Sequence, residues 1–441
     1  MRFIVVIVLL VLLSCNRDYH VQISGRVVSR EGTRVDSVVV VQVNDENYSF
    51  RLDENWHFAG EIKLERESYA SVISPFYGMR VPLYLSPGED LEIILEPRVA
   101  QFRGSLGAIN TYLKEQGEVG MGAWNEYYAL DDTSFVKKMN ELIDSKILML
   151  EAKNLGTDFN ALERERIRYL VVSRAFYYPQ NHLYDSLKGR YAPGQEYHAF
   201  MSSFSLDNEA MMSWGYFRNY LLNVFFLKLK ENHIKAVVNL ILEQFKSQKI
   251  KTFLLSSLAY HYILNHGLTD ADYLLAVCRK EIADPSKYAM VEQLVDRWRK
   301  LSPGTTAPDI QLVDMEGNET NLRALKGSYL FIMIWPFEYI SPGNMFDSFR
   351  RLEEIYKEKN VRFLALTVTG GNFKQKWSEK VKQEQLPGEH FFVTNANSIY
   401  HSYVITSYPY YLFVDPYNRI LQAKIPDTFN EMESLFRGAG L

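Results

Sequence analysis

A sulfur nucleophile is the most versatile group a chain can carry, and in 441 residues there are two: Cys15 and Cys278. Two cysteines exclude a disulfide framework and a Cys-rich zinc site. Cys278 ends the apolar run Tyr273-Leu274-Leu275-Ala276-Val277, where a free cysteine behaves as a small core hydrophobe. The remaining groups that could do chemistry are scattered. His261 and His266 are five residues apart, so they do not share a helix face at ideal spacing, and no carboxylate pattern supports a metal. His401 stands beside Tyr400 with no nucleophile partner in the sequence. Gly370-Gly371-Asn372 follows a strand-like run, but a lone glycine pair is not a phosphate loop. Glu163-Arg164-Glu165-Arg166 reads as a solvated helix face. No metal and no cofactor is expected.

Cys15 has a particular context. Met1-Arg2 is followed by an unbroken apolar run, Phe3 to Leu13. A bilayer span needs about 20 residues and a secretory h-region about 7–15, so the run suits export rather than spanning. It ends in Leu12-Leu13-Ser14-Cys15, with a branched residue at −3 and a small one at −1. This resembles a bacterial lipobox. The resemblance implies a diacylglycerol on the Cys15 thiol and cleavage just before it. Several acyl chains on one residue anchor stably, since each buried methylene adds about 0.8 kcal/mol. Residues 1–14 are then a lipoprotein signal peptide and 15–19 a lipidated tether. The expected address is a bacterial cell envelope, at the outer membrane facing the periplasm or the cell surface.

Behind the tether the composition is that of a core-forming chain: 47% hydrophobic, 14% aromatic and 23% charged. The net charge of −4 offers no basic footprint for nucleic acid. At roughly 100–200 residues per domain the length suits about three domains. Residues 20–100 alternate with period two in Val21–Val27, continue through a β-branched run to Val43, and close with Leu91–Leu95 after Ser86-Pro87-Gly88-Glu89-Asp90. Short strands at this spacing predict a β-sandwich. The pattern resembles a small β-domain that often precedes thioredoxin-like domains in bacterial envelope lipoproteins. Residues 101–300 carry apolar residues at helical spacing, as in Met139, Leu142, Ile143, Ile147 and Leu150, and predict an all-α middle domain. Its many tyrosines and phenylalanines read as interhelix packing, or alternatively as a groove for a peptide or glycan. Leu301-Ser302-Pro303-Gly304 breaks the helical pattern, so residues 301–441 form a third domain. It reads β-β-α-β-α-β-β-α, with strands Tyr329–Trp335, Val361–Val368 and Tyr410–Val414 and a helix Met345–Lys359. Strand, helix and parallel strand make a βαβ unit.

In this third domain Gly304-x-x-Ala307-Pro308-Asp309-Ile310 is followed by Leu312-x-Asp314-x-x-Gly317, Leu325-Lys326-Gly327 and a strand ending in Ile334-Trp335. Tyr408-Pro409-Tyr410 and Asp415-Pro416-Tyr417-Asn418-Arg419-Ile420 complete the pattern. It resembles the TlpA-type, thioredoxin-like group of envelope thiol-disulfide reductases, with Asn418 where that group has glycine. The resemblance implies an α/β thioredoxin-like fold and a cis-proline at Pro409. It also implies a Cys-x-x-Cys at the start of the first helix, where helix N–H groups and the dipole lower a thiol pKa. That motif position falls on Pro342, Gly343, Asn344 and Met345, and no cysteine lies between Trp335 and Phe349. Neighbouring Ser341 is an alcohol and cannot form a disulfide. Thiol–disulfide exchange needs a thiolate to attack and a second sulfur to resolve.

The expectation is therefore a multidomain envelope lipoprotein whose last domain is redox-degenerate and serves as a peptide- or protein-binding module or scaffold. Its partners would be the membrane, through the lipid, and an extended peptide or envelope protein, without nucleic acid. Trp335, Phe337, Tyr339, Tyr408, Pro409 and Tyr410 are the candidate binding edge, because strand-edge pairing supplies affinity without chemistry. The alternative is a thioredoxin-family oxidoreductase in envelope redox homeostasis.

Overall fold

The computed structural model describes residues 19–28, 38–44, 46–74, 78–116, 121–182, 191–337, 343–368 and 374–441. Cys15, Tyr339, Ser341 and Pro342 lie outside them. The chain divides into two compact units, residues 1–251 and 252–441.

The first unit begins with β1 (His20–Val27), β2 (Val38–Val43), β3 (Glu46–Arg51), β4 (His57–Lys63), β5 (Ser68–Ser74), β6 (Met79–Leu85), β7 (Asp90–Glu96) and β8 (Val99–Arg103). They form two four-stranded sheets, ordered β4-β1-β7-β8 and β3-β2-β5-β6. Every second residue of β1 and β2 is buried, so each sheet has one apolar face. Phe50 and Phe58, one from each sheet, meet with ring centroids 6.1 Å apart. Gly25 is required by this packing: a Cβ there would stand 2.0 Å from the Ile93 carbonyl oxygen and 2.7 Å from the Phe58 ring.

Helices follow: α1 (Gly107–Glu115), α2 (Met121–Tyr128), α3 (Asp132–Glu151), α4 (Thr157–Ala175), α5 (Tyr178–Asn181), α6 (Gln195–Ser202), α7 (Gly215–Glu231), α8 (Ile234–Gln244) and α9 (Gln248–His266). Helix α4 corrects one expectation. Of the Glu163–Arg166 stretch only Arg164 and Glu165 are solvated: Glu163 is fully buried and the Arg166 side chain is 12% exposed. The Glu163 carboxylate accepts from Arg166 Nε and Nη2 at 2.6 and 2.5 Å, from Tyr69 Oη at 2.7 Å and from Tyr112 Oη at 3.2 Å. The guanidinium lies over the rings of Tyr69 and Trp214. Strand β5 supplies Tyr69 and α1 supplies Tyr112, so this face of α4 is interior, and the buried charge is paired as it must be.

The second unit holds most of α9, then α10 (Ala271–Glu281) and α11 (Ala289–Lys300). Next come β9 (Gln311–Val313), β10 (Glu319–Asn321), β11 (Tyr329–Pro336), α12 (Asp347–Tyr356), β12 (Val361–Val368), α13 (Lys374–Glu384), β13 (Glu389–Val393), α14 (Ala396–Ser402), β14 (Tyr410–Val414), β15 (Ile420–Ile425) and α15 (Phe429–Gly438). One sheet has the order β10-β9-β13-β12-β11-β14-β15. Strands β11, β12 and β13 are parallel, while β14 and β15 are antiparallel to their neighbours. Strand β11 is buried along nearly its whole length, as a central strand covered on both faces should be. Relative to the expected order, the structure adds a third strand before the first helix, and β13 with α14. The units part at Lys251/Thr252, ahead of the composition break at 301. Lys424 of β15 fixes α9 beside the sheet: its Nζ donates to the Leu264 and Asn265 carbonyls at 2.7 and 3.3 Å. Those orphan carbonyls at a helix C-terminus favour a cation.

Candidate functional site

Strand β11 delivers the chain to the motif position. Its penultimate residue, Trp335, is fully buried, with Phe346 edge-on at 5.3 Å. Phe337 is half-buried and packs on the same core. The chain re-enters the described structure at Gly343. Residues Gly343–Phe346, which include Gly343, Asn344 and Met345 of the expected motif position, form a 3-10 turn that runs into α12. Met345 is half-buried against the core, and its carbonyl accepts from Tyr411 Oη at 3.4 Å. Helix α12 has no side-chain cap; Phe346 occupies its N-cap.

The second arm is the start of β14. Ile334 pairs with Tyr410, and one step further along the antiparallel register sets Pro409 opposite Trp335. The Tyr408–Pro409 peptide is cis, as the resemblance implies. The motif turn and the cis-proline thus share one end of the sheet. The candidate edge splits here. Trp335 and Tyr410 are core residues, 0% and 2% exposed. Continuous apolar runs in a central sheet bury alternate side chains on both faces. Tyr408 and Pro409 are half-buried, and Phe337 likewise. Sequence reasoning missed the stretch just before them. Thr406 and Ser407 are exposed, and none of the described hydrogen bonds uses the backbone N–H or C=O of Thr406, Ser407 or Tyr408. No composition signal marks these residues; strand pairing alone singles them out.

The electrostatics are those of a dry interior. Burial pushes the Tyr408, Tyr410 and Tyr411 hydroxyls well above the usual phenol range, so they stay protonated. Burial also lowers the His390 pKa; its Nε2 faces the Leu386 carbonyl at 3.2 Å. Trp335 Nε1, Thr367 Oγ1 and His390 Nδ1 have no hydrogen-bond partner among the described residues. The one described thiol, Cys278 on α10, is 1% exposed, and burial with the nearby Glu292 pushes it up to about 11. A thiol held there is protonated at neutral pH and is a poor nucleophile. Among the described residues no three His, Cys, Asp or Glu side chains gather as metal ligands. No described helix is long and apolar enough to cross a membrane.

Parallel β11 and β12 joined through α12, an antiparallel β14–β15 hairpin on the other side, a closing helix and a cis-proline before β14 define a thioredoxin-like domain within the second unit. No family model and no curated protein matches the chain. Solved structures do. One is a putative thiol-disulfide oxidoreductase from Bacteroides vulgatus, 24% identical, spanning 32% of this chain and 97% of its own, with a TM-score of 0.29. A thiol:disulfide interchange protein from Bacteroides sp. is 20% identical over 32% of this chain and 93% of its own, with a TM-score of 0.29. StoA from Bacillus subtilis is 14% identical over 31% and 98%, with a TM-score of 0.25. At such identities likeness concerns fold alone, and at such TM-scores it carries no argument. The fold rests on the strand order and connections.

Proposed function

We propose that this chain is an envelope lipoprotein whose thioredoxin-like domain binds an extended segment of a peptide or envelope protein and performs no thiol–disulfide exchange. The carrying observation is chemical: no cysteine lies between Trp335 and Phe349, the segment in which the resemblance puts the attacking and resolving positions, at Pro342 and Met345. The sulfur of Cys278 is buried and protonated, so it does not substitute. Binding is supported by the exposed Thr406-Ser407 stretch, whose backbone makes no hydrogen bond among the described residues and precedes a central strand. An extended ligand gains main-chain hydrogen bonds by pairing with such a stretch. Lipidation at Cys15 would hold the domain at a membrane surface.

The opposing reading, an oxidoreductase, requires a sulfur supplied by another molecule. A photocrosslinking amino acid at Ser407 or Phe337 tests the binding claim, with the same group at exposed Tyr417 as control. Repeated capture of one partner from Ser407 and Phe337 but not Tyr417 is the expected result. Equal capture at all three positions, or none at any, would refute the binding site.

A further inference from the structure

We propose that the first unit contains a second, independent site: a cleft among its helices that binds an organic anion with an apolar body. The cleft measures about 920 Å³. Ligand clefts run to about 300–1,000 Å³ and pair apolar walls with a few placed polar groups. Its walls are aromatic and aliphatic. Phe176, Tyr197, Phe204 and Tyr220 line it together with Val224 and Leu227 of α7. Their periodicity explains why: Tyr220, Val224 and Leu227 recur at helical spacing, so one face of α7 forms a continuous apolar wall.

Charge selects the ligand class. Lys228 and Lys230, in the last turn of α7, line the same cleft. Neither makes an ion pair among the described residues. His182 and His198 also line it. Among the described residues the single acid in the lining is Asp207, and its two oxygens already accept from the backbone N–H groups of Lys246 and Ser247, at 2.8 and 3.1 Å. The cleft therefore presents two lysines with no ion pair among the described residues beside a recessed apolar wall, and the one described carboxylate in its lining is spent on a turn. A carboxylate or sulfonate on an aromatic or acyl body satisfies both features at once. A neutral body of the same shape would satisfy only the wall, and a hydrophilic anion only the lysines.

The test uses a matched pair of fluorescent probes on the chain from Asn16, which includes every described residue. One probe is 8-anilinonaphthalene-1-sulfonate. The other is N-phenyl-1-naphthylamine, the same ring system without the charge. The sulfonate should bind saturably at one site, and the neutral probe about ten-fold more weakly. The Lys228→Ala/Lys230→Ala double variant should remove that difference while leaving the neutral probe unaffected. Val224→Trp, or Leu227→Trp if the first folds poorly by circular dichroism, should weaken both probes at least about ten-fold by filling the cleft. Displacement by laurate and not 1-naphthoate would assign an acyl ligand, and the reverse an aromatic one. Equal binding of the two probes, insensitivity to the lysine or tryptophan variants, or displacement by neither acid would overturn the proposal.

Discussion

Replacing Glu163 by alanine should be among the most damaging single changes in the first unit. The carboxylate is fully buried and holds four hydrogen bonds, two from Arg166 and one each from Tyr69 and Tyr112. Alanine leaves the Arg166 guanidinium, 12% exposed, without its counter-charge. It also strips the acceptor from two tyrosine hydroxyls. Breaking a buried ion pair by removing one partner costs about 3–5 kcal/mol. The lost tyrosine bonds are part of that figure, since contacts within one network do not add. Glu163→Gln restores shape but points an amide N–H₂ or a lone carbonyl at the guanidinium, so it should recover only part of the loss. The Glu163→Leu/Arg166→Met pair removes both charges together and should cost less than Glu163→Ala alone. Urea unfolding, followed by tryptophan fluorescence and circular dichroism to resolve the two units, measures each variant. A loss below about 1 kcal/mol for Glu163→Ala, the range of an exposed pair, would show that the carboxylate is hydrated in solution and refute the buried network.

The Cys278 thiol should not react with a chromogenic aryl disulfide at pH 8 in the folded protein, because burial holds it up to about 11; it should react fully in denaturant. Lys424→Ala should destabilise the second unit by about 1–2 kcal/mol, by removing a partly buried cation from the α9 C-terminus, read as a lowered urea midpoint. Glu209 is held below its ordinary value of 4.5, first by the Ser247 hydroxyl and then by Arg66. A depressed folded pKa gives stability that is present above 4.5 and lost as pH falls through the folded value. The wild-type urea midpoint should therefore drop more steeply than that of Glu209→Gln on acidification below that point.

The central strands were legible because a strand covered on both faces leaves an uninterrupted apolar run, as Tyr329–Trp335 and Tyr410–Val414 do. The same property misled the reading of the site. Trp335 and Tyr410 are aromatic next to a motif, yet in a central sheet such residues are core. Strand β13 escaped notice because Glu389-His390 breaks its apolar pattern. Helix α4 shows the limit of local pattern most clearly. Its alternating charges at 163–166 carry the signature of a wet face, and for Arg164 and Glu165 that holds; Glu163 and Arg166 turn inward, where the distant Tyr69 and Tyr112 meet the carboxylate. The missing cysteine pair needed no structure, since the absence of a residue type over a segment is plain in the sequence. That the backbone at Thr406–Tyr408 makes no hydrogen bond among the described residues did need one, because pairing is a property of the sheet and not of those three residues.

The central claim is that a thioredoxin-like domain here persists without redox chemistry. Its most direct test is reduction of a disulfide substrate such as insulin by the chain from Asn16, with dithiothreitol as electron donor, beside Cys278→Ser. No rate above the dithiothreitol background is expected for either protein. A rate above background in the wild type that disappears in Cys278→Ser would make Cys278 a catalytic thiol and contradict both its burial and the binding role drawn from the vacant motif.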